Sequence, residues 1–290
     1  NMLFNWRMLE VTGDAKYAEL VETCLYNSVL SGISLDGKRY FYTNPLRISA
    51  DLPYTLRWPK ERTEYISCFC CPPNTLRTLC QAQNYAYTLN DEGIYCNLYG
   101  ANTLTTHWKD KGEIVLTQET DYPWDGNVRV RLNKLPRKAG AFSLFFRIPE
   151  WCEKATLTVN GEPVQIAAMD MPVRLLEAHP LAEEIRNQVV VKRGPLVYCL
   201  ESMDIANGEK IDNILIPSDI QLTPRKITIE GSPIVALEGK ARLTSEESWE
   251  GVLYRPVARA GKTVDIRLIP YYAWGNRGKG EMTVWMPLAR

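Results

Sequence analysis

The sequence predicts a mixed chain, α-helical at first and all-β afterwards, and three observations carry that reading. Apolar residues recur with a 3.6-residue period in the first part of the chain. The period changes to two after Asn90-Asp-Glu-Gly93. From there on, many short strand-like runs alternate with turn signals, which argues for one or two antiparallel β-sandwiches.

Asn1 to Glu10 reads as the middle of an amphipathic helix, with neither the basic start nor the small-residue cleavage site of a signal peptide, so the natural N-terminus is expected elsewhere. Asp14 is a suitable N-cap for the next helix. Tyr17, Leu20, Val21, Cys24, Leu25 and Val29 follow it at the spacing of one buried face, and Gly32 marks the end. Arg39-Tyr-Phe-Tyr42 suggests an extended stretch, and a loop rich in proline and charge runs from Asn44 to Ser67. A further helix opens at Pro72 or Pro73, where proline's fixed φ suits a first turn, and runs through Leu76, Leu79, Cys80 and Ala86 to about Leu89.

Beyond the switch, Val128, Val130 and Leu132 alternate with Arg129 and Arg131, as do Phe142, Leu144, Phe146 and Ile148 with their neighbours. These are half-buried strands. Ala155, Leu157 and Val159 lead into Asn160-Gly161, a hairpin signal because both residues tolerate positive φ. Strand-like runs recur at Val189 to Val191, Leu196 to Leu200, Val264 to Leu268 and Met282 to Trp285.

The 290 residues suffice for about two domains. Lys plus Arg number 34 and Asp plus Glu also 34, so no net field attracts nucleic acid or an anionic membrane surface. The apolar stretches are strand-sized, short of the roughly 20 residues of a membrane-spanning helix, so the chain reads as soluble, in a compartment the sequence does not reveal. Eight cysteines are too few for a disulfide scaffold. Cys24, Cys80, Cys96 and Cys199 sit in apolar periodic surroundings and read as small buried hydrophobes, as does Cys152 beside Trp151.

The strongest chemical signal is Cys68-Phe-Cys70-Cys71-Pro-Pro-Asn74. Two adjacent thiols precede a helix start, where unpaired N–H groups and the helix dipole favour a thiolate. Zinc takes four ligands, of which adjacent cysteines supply two and Cys68 at most one more. Three readings stand side by side: nucleophilic or metal-binding cysteines, inert buried thiols, and a purely structural zinc site. The two histidines, His107 and His179, lie far away in sequence and do not support a Cys-His pair. Gly278-Lys279-Gly280 lies between strands with no helix after it, so it is a turn and no phosphate loop. Glu61, Glu64 and many other carboxylates are equally eligible for acid–base work. Tyr40, Tyr42, Trp58 and Tyr65 cluster before the thiols, suited either to stacking on a sugar or to core packing.

Taken in order, Asn1 to Glu10, Thr12-Gly-Asp14, Tyr40-Phe-Tyr-Thr-Asn-Pro45, Cys68-Phe-Cys-Cys-Pro-Pro-Asn74 and Val191-Lys-Arg-Gly-Pro-Leu-Val-Tyr-Cys-Leu-Glu201 resemble glycoside hydrolase family 127 over essentially the whole chain. The resemblance implies an (α/α)6 barrel that carries the active site, followed by two antiparallel β-sandwich domains, one interrupting the other. Residues 1–88 would be the C-terminal part of the barrel, 89–190 with 278–290 one sandwich, and 191–277 the inserted second. It further implies Zn2+ as cofactor, Cys70 as nucleophile and zinc ligand, Cys71 as a second zinc ligand, and Tyr40 or Tyr42 as a substrate contact. The family's chemistry is retaining: a zinc-bound thiolate attacks the anomeric carbon, and water hydrolyses the thioglycosyl intermediate.

Two more zinc ligands, from a Glu-x-Cys motif, and the acid/base Glu belong upstream of the position matching Asn1. The resemblance therefore implies a missing N-terminal half of the barrel as partner, and no activity for these 290 residues alone. The expected function is exo-acting release of β-L-arabinofuranose, or a related sugar such as a branched acidic sugar of pectin, from plant-type glycans. The rival is a non-catalytic carbohydrate-binding or structural β-sandwich module whose thiols are inert or hold zinc structurally.

Overall fold

The computed structural model describes residues 1–49, 57–67, 69–108, 111–135, 141–167, 169–244, 250–251, 253–254 and 261–289. Helix α1 (Met2–Thr12) buries Met2, Trp6 and Leu9, which recur at helical spacing on one face. Gly13 ends it in the left-handed region, at φ 69°, with its N–H on the Leu9 carbonyl. Helix α2 (Ala15–Thr23) opens as expected at Asp14, whose side chain accepts the Lys16 N–H. Its winding then loosens into a π-helical stretch over Cys24–Val29 and tightens into a 3-10 turn over Leu30–Gly32, so the helical run does end at Gly32. The buried face is Ala18, Val21 and Glu22, whereas Leu20 is exposed. Leu20, two residues from both Ala18 and Glu22, lies about 160° around the helix from each and so on its opposite side.

Of the stretch expected to be extended, Tyr40 bridges both Ile33 and Thr63 while the chain bends at Tyr42, and β1 (Arg47–Ile48) follows. Helix α3 (Cys71–Cys80) begins one residue before Pro72 and ends well short of Leu89. A 3-10 turn over Ala82–Tyr85 comes next, and β2 (Tyr87–Leu89) takes the residues expected at the helix end. A few apolar residues fit either period. Pairing of Tyr87, Thr88 and Leu89 with Cys96, Tyr95 and Ile94 decides for the strand.

Contacts divide the chain into two compact units, Asn1–Val29 with Asn74–Pro172, and Leu30–Pro73 with Val173–Arg290. The first holds β2, β3 (Gly93–Cys96), β4 (Asn102–Trp108), β5 (Gly112–Thr120), β6 (Val128–Lys134), β7 (Ser143–Phe146), β8 (Thr156–Val159) and β9 (Glu162–Ala167). β4, β5 and β6 form an antiparallel meander, while β3 pairs β2 antiparallel and β7 parallel. A Cβ on Gly93 would stand 2.0 Å from the Ser143 carbonyl oxygen, so the close approach of β3 to β7 requires glycine. β8 and β9 close on Asn160 and Gly161 at φ 52° and 88°, the expected tight hairpin.

The cores of this unit gather Met2, Trp6, Leu9, Ala18, Val21 and Tyr85, and separately Cys96, Tyr99, Tyr122, Trp151 and Met171. A buried polar cluster accompanies them. Arg147 reaches Glu22 at 2.7 Å and Glu19 at 2.6 Å, and Tyr122 donates its hydroxyl to Glu22 at 2.7 Å. Burial pushes the Glu22 carboxyl above the usual carboxylate range, with Arg147 and Tyr122 opposing the shift.

The second unit contains β1, β10 (Val173–Glu177), β11 (Gln188–Arg193), β12 (Leu196–Ile205), β13 (Ile214–Pro217), β14 (Thr223–Ile229), β15 (Ser232–Leu243), β16 (Thr263–Pro270), β17 (Met282–Thr283) and β18 (Met286–Ala289). Pairing runs from β12 through β16, β15, β13, β18 and β11 back to β12, closing a six-stranded barrel. Only the β13–β18 contact in this ring is parallel. Val191, Tyr198, Leu200, Ile214, Ile216, Leu237, Leu268 and Met286 are fully buried, each contributing about 1.5–3 kcal/mol through removal from water. The half-buried alternation read from the sequence suits open and closed sheets alike, since both hide one face. No described helix is long and apolar enough to cross a membrane.

Candidate active site at the start of helix α3

The chain enters α3 through two consecutive thiols. Cys70 is exposed, Cys71 is the first helical residue and partly buried, and their Sγ atoms are 3.3 Å apart. Pro72 and Pro73 follow at the first turn, where the absence of an N–H costs no intrahelical bond. Two sulfurs on one tetrahedral zinc, each at about 2.3 Å, lie about 3.8 Å apart. The Cys70–Cys71 pair thus converges nearly enough to serve as half of such a donor set, with a small side-chain rotation making up the difference. Among the described residues, no three His, Cys, Asp or Glu side chains gather into a metal cage. Cys68 lies outside the described residues.

The other thiols separate by burial. Cys96 and Cys199 are buried as expected, and desolvation pushes the Cys96 thiol up to about 12 and Cys199 well above its ordinary value. Cys24 and Cys152 are partly buried, and burial raises both. Cys80 departs from expectation: it is exposed, because α3 has no fully buried residue on any face among those described. His107 pairs across the sheet with Glu113, and His179 is an exposed turn residue whose Nδ1 accepts the Leu181 N–H. Glu61 pairs with Lys279 at 3.0 Å, and Glu64 is exposed.

The aromatic residues ahead of the thiols belong to the same unit. Tyr40 is partly buried, and its N–H and C=O exchange hydrogen bonds with Thr63 at 2.8 and 3.1 Å. Tyr42, also partly buried, stacks on Trp58 with ring centroids 4.0 Å apart, and the Arg57 guanidinium lies over the Trp58 ring. Tyr65 and Phe69 are strongly exposed. The structure therefore joins Cys70 to Cys71 and Tyr42 to Trp58, and pins the backbone of Tyr40.

Three family models match the chain in succession. The β-L-arabinofuranosidase GH127 catalytic domain covers residues 1–84, the GH127 middle domain 93–175, and the family 127 C-terminal domain 173–287. The chain belongs to glycoside hydrolase family 127. It is 31% identical to the non-reducing end β-L-arabinofuranosidase of Bifidobacterium longum subsp. longum, over 98% of this chain and 47% of that protein. A solved glycoside hydrolase is 84% identical with TM-score 0.95, covering 100% of this chain and 51% of its own. The GH127 β-L-arabinofuranosidase of Geobacillus stearothermophilus T6 is 35% identical with TM-score 0.85, over 99% and 48%. The family 127 chain thus spans about half the length of these relatives.

One feature of this family 127 chain went unread in the sequence. Tyr271-Tyr-Ala-Trp-Gly-Asn-Arg277, between β16 and β17, packs against the tyrosine-bearing segment: Trp274 stacks on Phe41, and Asn276 accepts the Leu35 N–H. Its density of aromatic, glycine and polar residues between two strands is the signal the segment carries in the sequence.

Proposed function

We propose that the complete polypeptide is a retaining exo-glycosidase that releases β-L-arabinofuranose, or a related sugar, from plant-type glycans, with Cys70 as its nucleophile. The observation that carries this reading is the exposed Cys70 thiol converging on Cys71 at the start of α3, in a chain of family 127. Cys70 Sγ bonds to the anomeric carbon as the glycosidic C–O bond breaks, and a carboxylic acid protonates the departing oxygen. Water, losing a proton to the carboxylate left by the first step, then attacks the same carbon, the C–S bond breaks with its electron pair returning to sulfur, and two inversions give net retention. Zinc, held in this reading by Cys70 and Cys71 with further donors from elsewhere in the polypeptide, supplies the positive charge that keeps the sulfur deprotonated at neutral pH.

Tyr40 and Tyr42 contact the sugar, and their phenols suit it because each ring offers an apolar face and a hydroxyl. The helical residues form the C-terminal part of an (α/α)6 barrel completed by the remaining polypeptide, which also brings the other zinc ligands and the acid. The relatives' doubled length supports this division, and by the same reading the 290 residues alone are inactive. The test is intact mass and zinc content of the full-length protein before and after reaction with an arabinofuranosyl-like electrophile. About one zinc, with the sugar mapped to Cys70, supports the mechanism; an active protein that carries its adduct on a carboxylate overturns it.

A further inference from the structure

The segment bearing Tyr40 and Tyr42 is anchored from behind. Phe41, between them, is almost wholly buried, and its ring lies 4.4 Å from Trp274, 11° from parallel, with the Arg62 guanidinium 4.3 Å over it. Arg62 is itself buried, and its fork donates to the Ser31 carbonyl at 2.9 Å, to Tyr272 at 3.2 Å and to Trp274 at 3.0 and 3.2 Å. Four hydrogen bonds to three backbone carbonyls are a task for a planar five-donor head, which a lysine lacks.

The loop behind is fixed in turn. Glu201 accepts the Gly275 N–H at 2.7 Å, and Arg277 bonds Glu201 and Asp204. At Gly275, φ is 66° and a Cβ would meet Phe41 Cζ at 2.9 Å, so loop and ring are as close as glycine allows. Phe41 packs on the loop, and Tyr40 and Tyr42 flank it in sequence, with Tyr40 held in register by Thr63.

We propose that Arg62, Phe41 and Trp274 form a positioning anchor that sets Tyr40 and Tyr42 at the geometry the arabinofuranosyl ring requires. This inference rests on the reading of those tyrosines as sugar contacts. The anchor touches no substrate and acts by holding the backbone from which both phenols project.

Steady-state kinetics of the full-length protein on an aryl β-L-arabinofuranoside test it, with Tyr40→Ala, Tyr42→Ala, Phe41→Leu and Arg62→Lys variants. Phe41→Leu is expected to raise KM about tenfold and change kcat by less than about twofold. In whichever tyrosine variant has the raised KM, adding Phe41→Leu should have an effect under about twofold, because the group it positions is gone. A general loss of folding would instead lower kcat in both backgrounds. If neither tyrosine variant moves KM, the tyrosine reading and the anchor fall together. If one does, and a folded Phe41→Leu or Arg62→Lys protein keeps the parent KM, the anchor alone is overturned. Arg62→Lys carries the same test should Phe41→Leu not fold.

Discussion

Cys70 Sγ lies 3.3 Å from Cys71 Sγ, with Cys70 exposed and Cys71 opening α3. Two neighbours so alike are predicted to fail differently when replaced. Cys70→Ser in the full-length protein should lower kcat by at least about a thousandfold, since an unactivated hydroxyl is a poor nucleophile. Cys71→Ser should lose zinc, measured by elemental analysis. A near-normal rate in the first variant removes Cys70 from the mechanism, and normal zinc in the second removes Cys71 from the ligand set.

Burial predicts an order of thiol reactivity. Under mild alkylation of the native 290-residue chain, mapped by peptide mass, Cys70 and Cys80 should label before Cys96 and Cys199, by a factor on the order of a hundred or more. Early labelling of Cys96 or Cys199 would contradict the packing around them.

The buried Glu22 carboxyl gives a pH dependence whose sign can be worked out. Burial raises its value in the folded state above the ordinary 4.5, so the folded chain holds a proton that the unfolded chain releases. Its contribution to stability is complete below about pH 4.5 and is lost as pH rises toward the folded value. Glu22→Gln mimics the protonated form, so the stability of the parent relative to this variant should decline as pH rises above about 4.5. Urea midpoints at several pH values check it. A parent that gains on the variant with rising pH would show that Arg147, 2.7 Å away, holds the carboxylate ionised.

Gly93→Ala places a methyl 2.0 Å from the Ser143 carbonyl oxygen and must push β3 from β7. Overpacking of this kind costs about 1–3 kcal/mol. A denaturation midpoint unchanged from the parent would mean that the two strands do not run so close.

Local chemistry was legible in the sequence and long-range pairing was not. Asp14 as N-cap and the hairpin at Asn160-Gly161 depend on residues within a few positions of one another, and both appear as expected. The adjacency of Cys70 and Cys71 made their convergence readable, while the exposure of Cys80 depends on what covers α3, which no periodicity encodes. The parallel partners Gly93 with Ser143 and Ile216 with Leu288 are set by the whole topology. Arg62 lies in the proline- and charge-rich stretch from Asn44 to Ser67, and its partners include carbonyls at Tyr272 and Trp274, far along the chain.

The parallel contact between β13 and β18 also governs when this unit matures during synthesis. β18 is the strand that links β13 to β11, so the ring has a gap until Met286–Ala289 has left the ribosome. Until then β11 and β13 present open edges and the apolar lining is accessible to other chains. Closing the ring therefore joins β18 to strands far earlier in the chain, a contact whose loop closure is entropically costly.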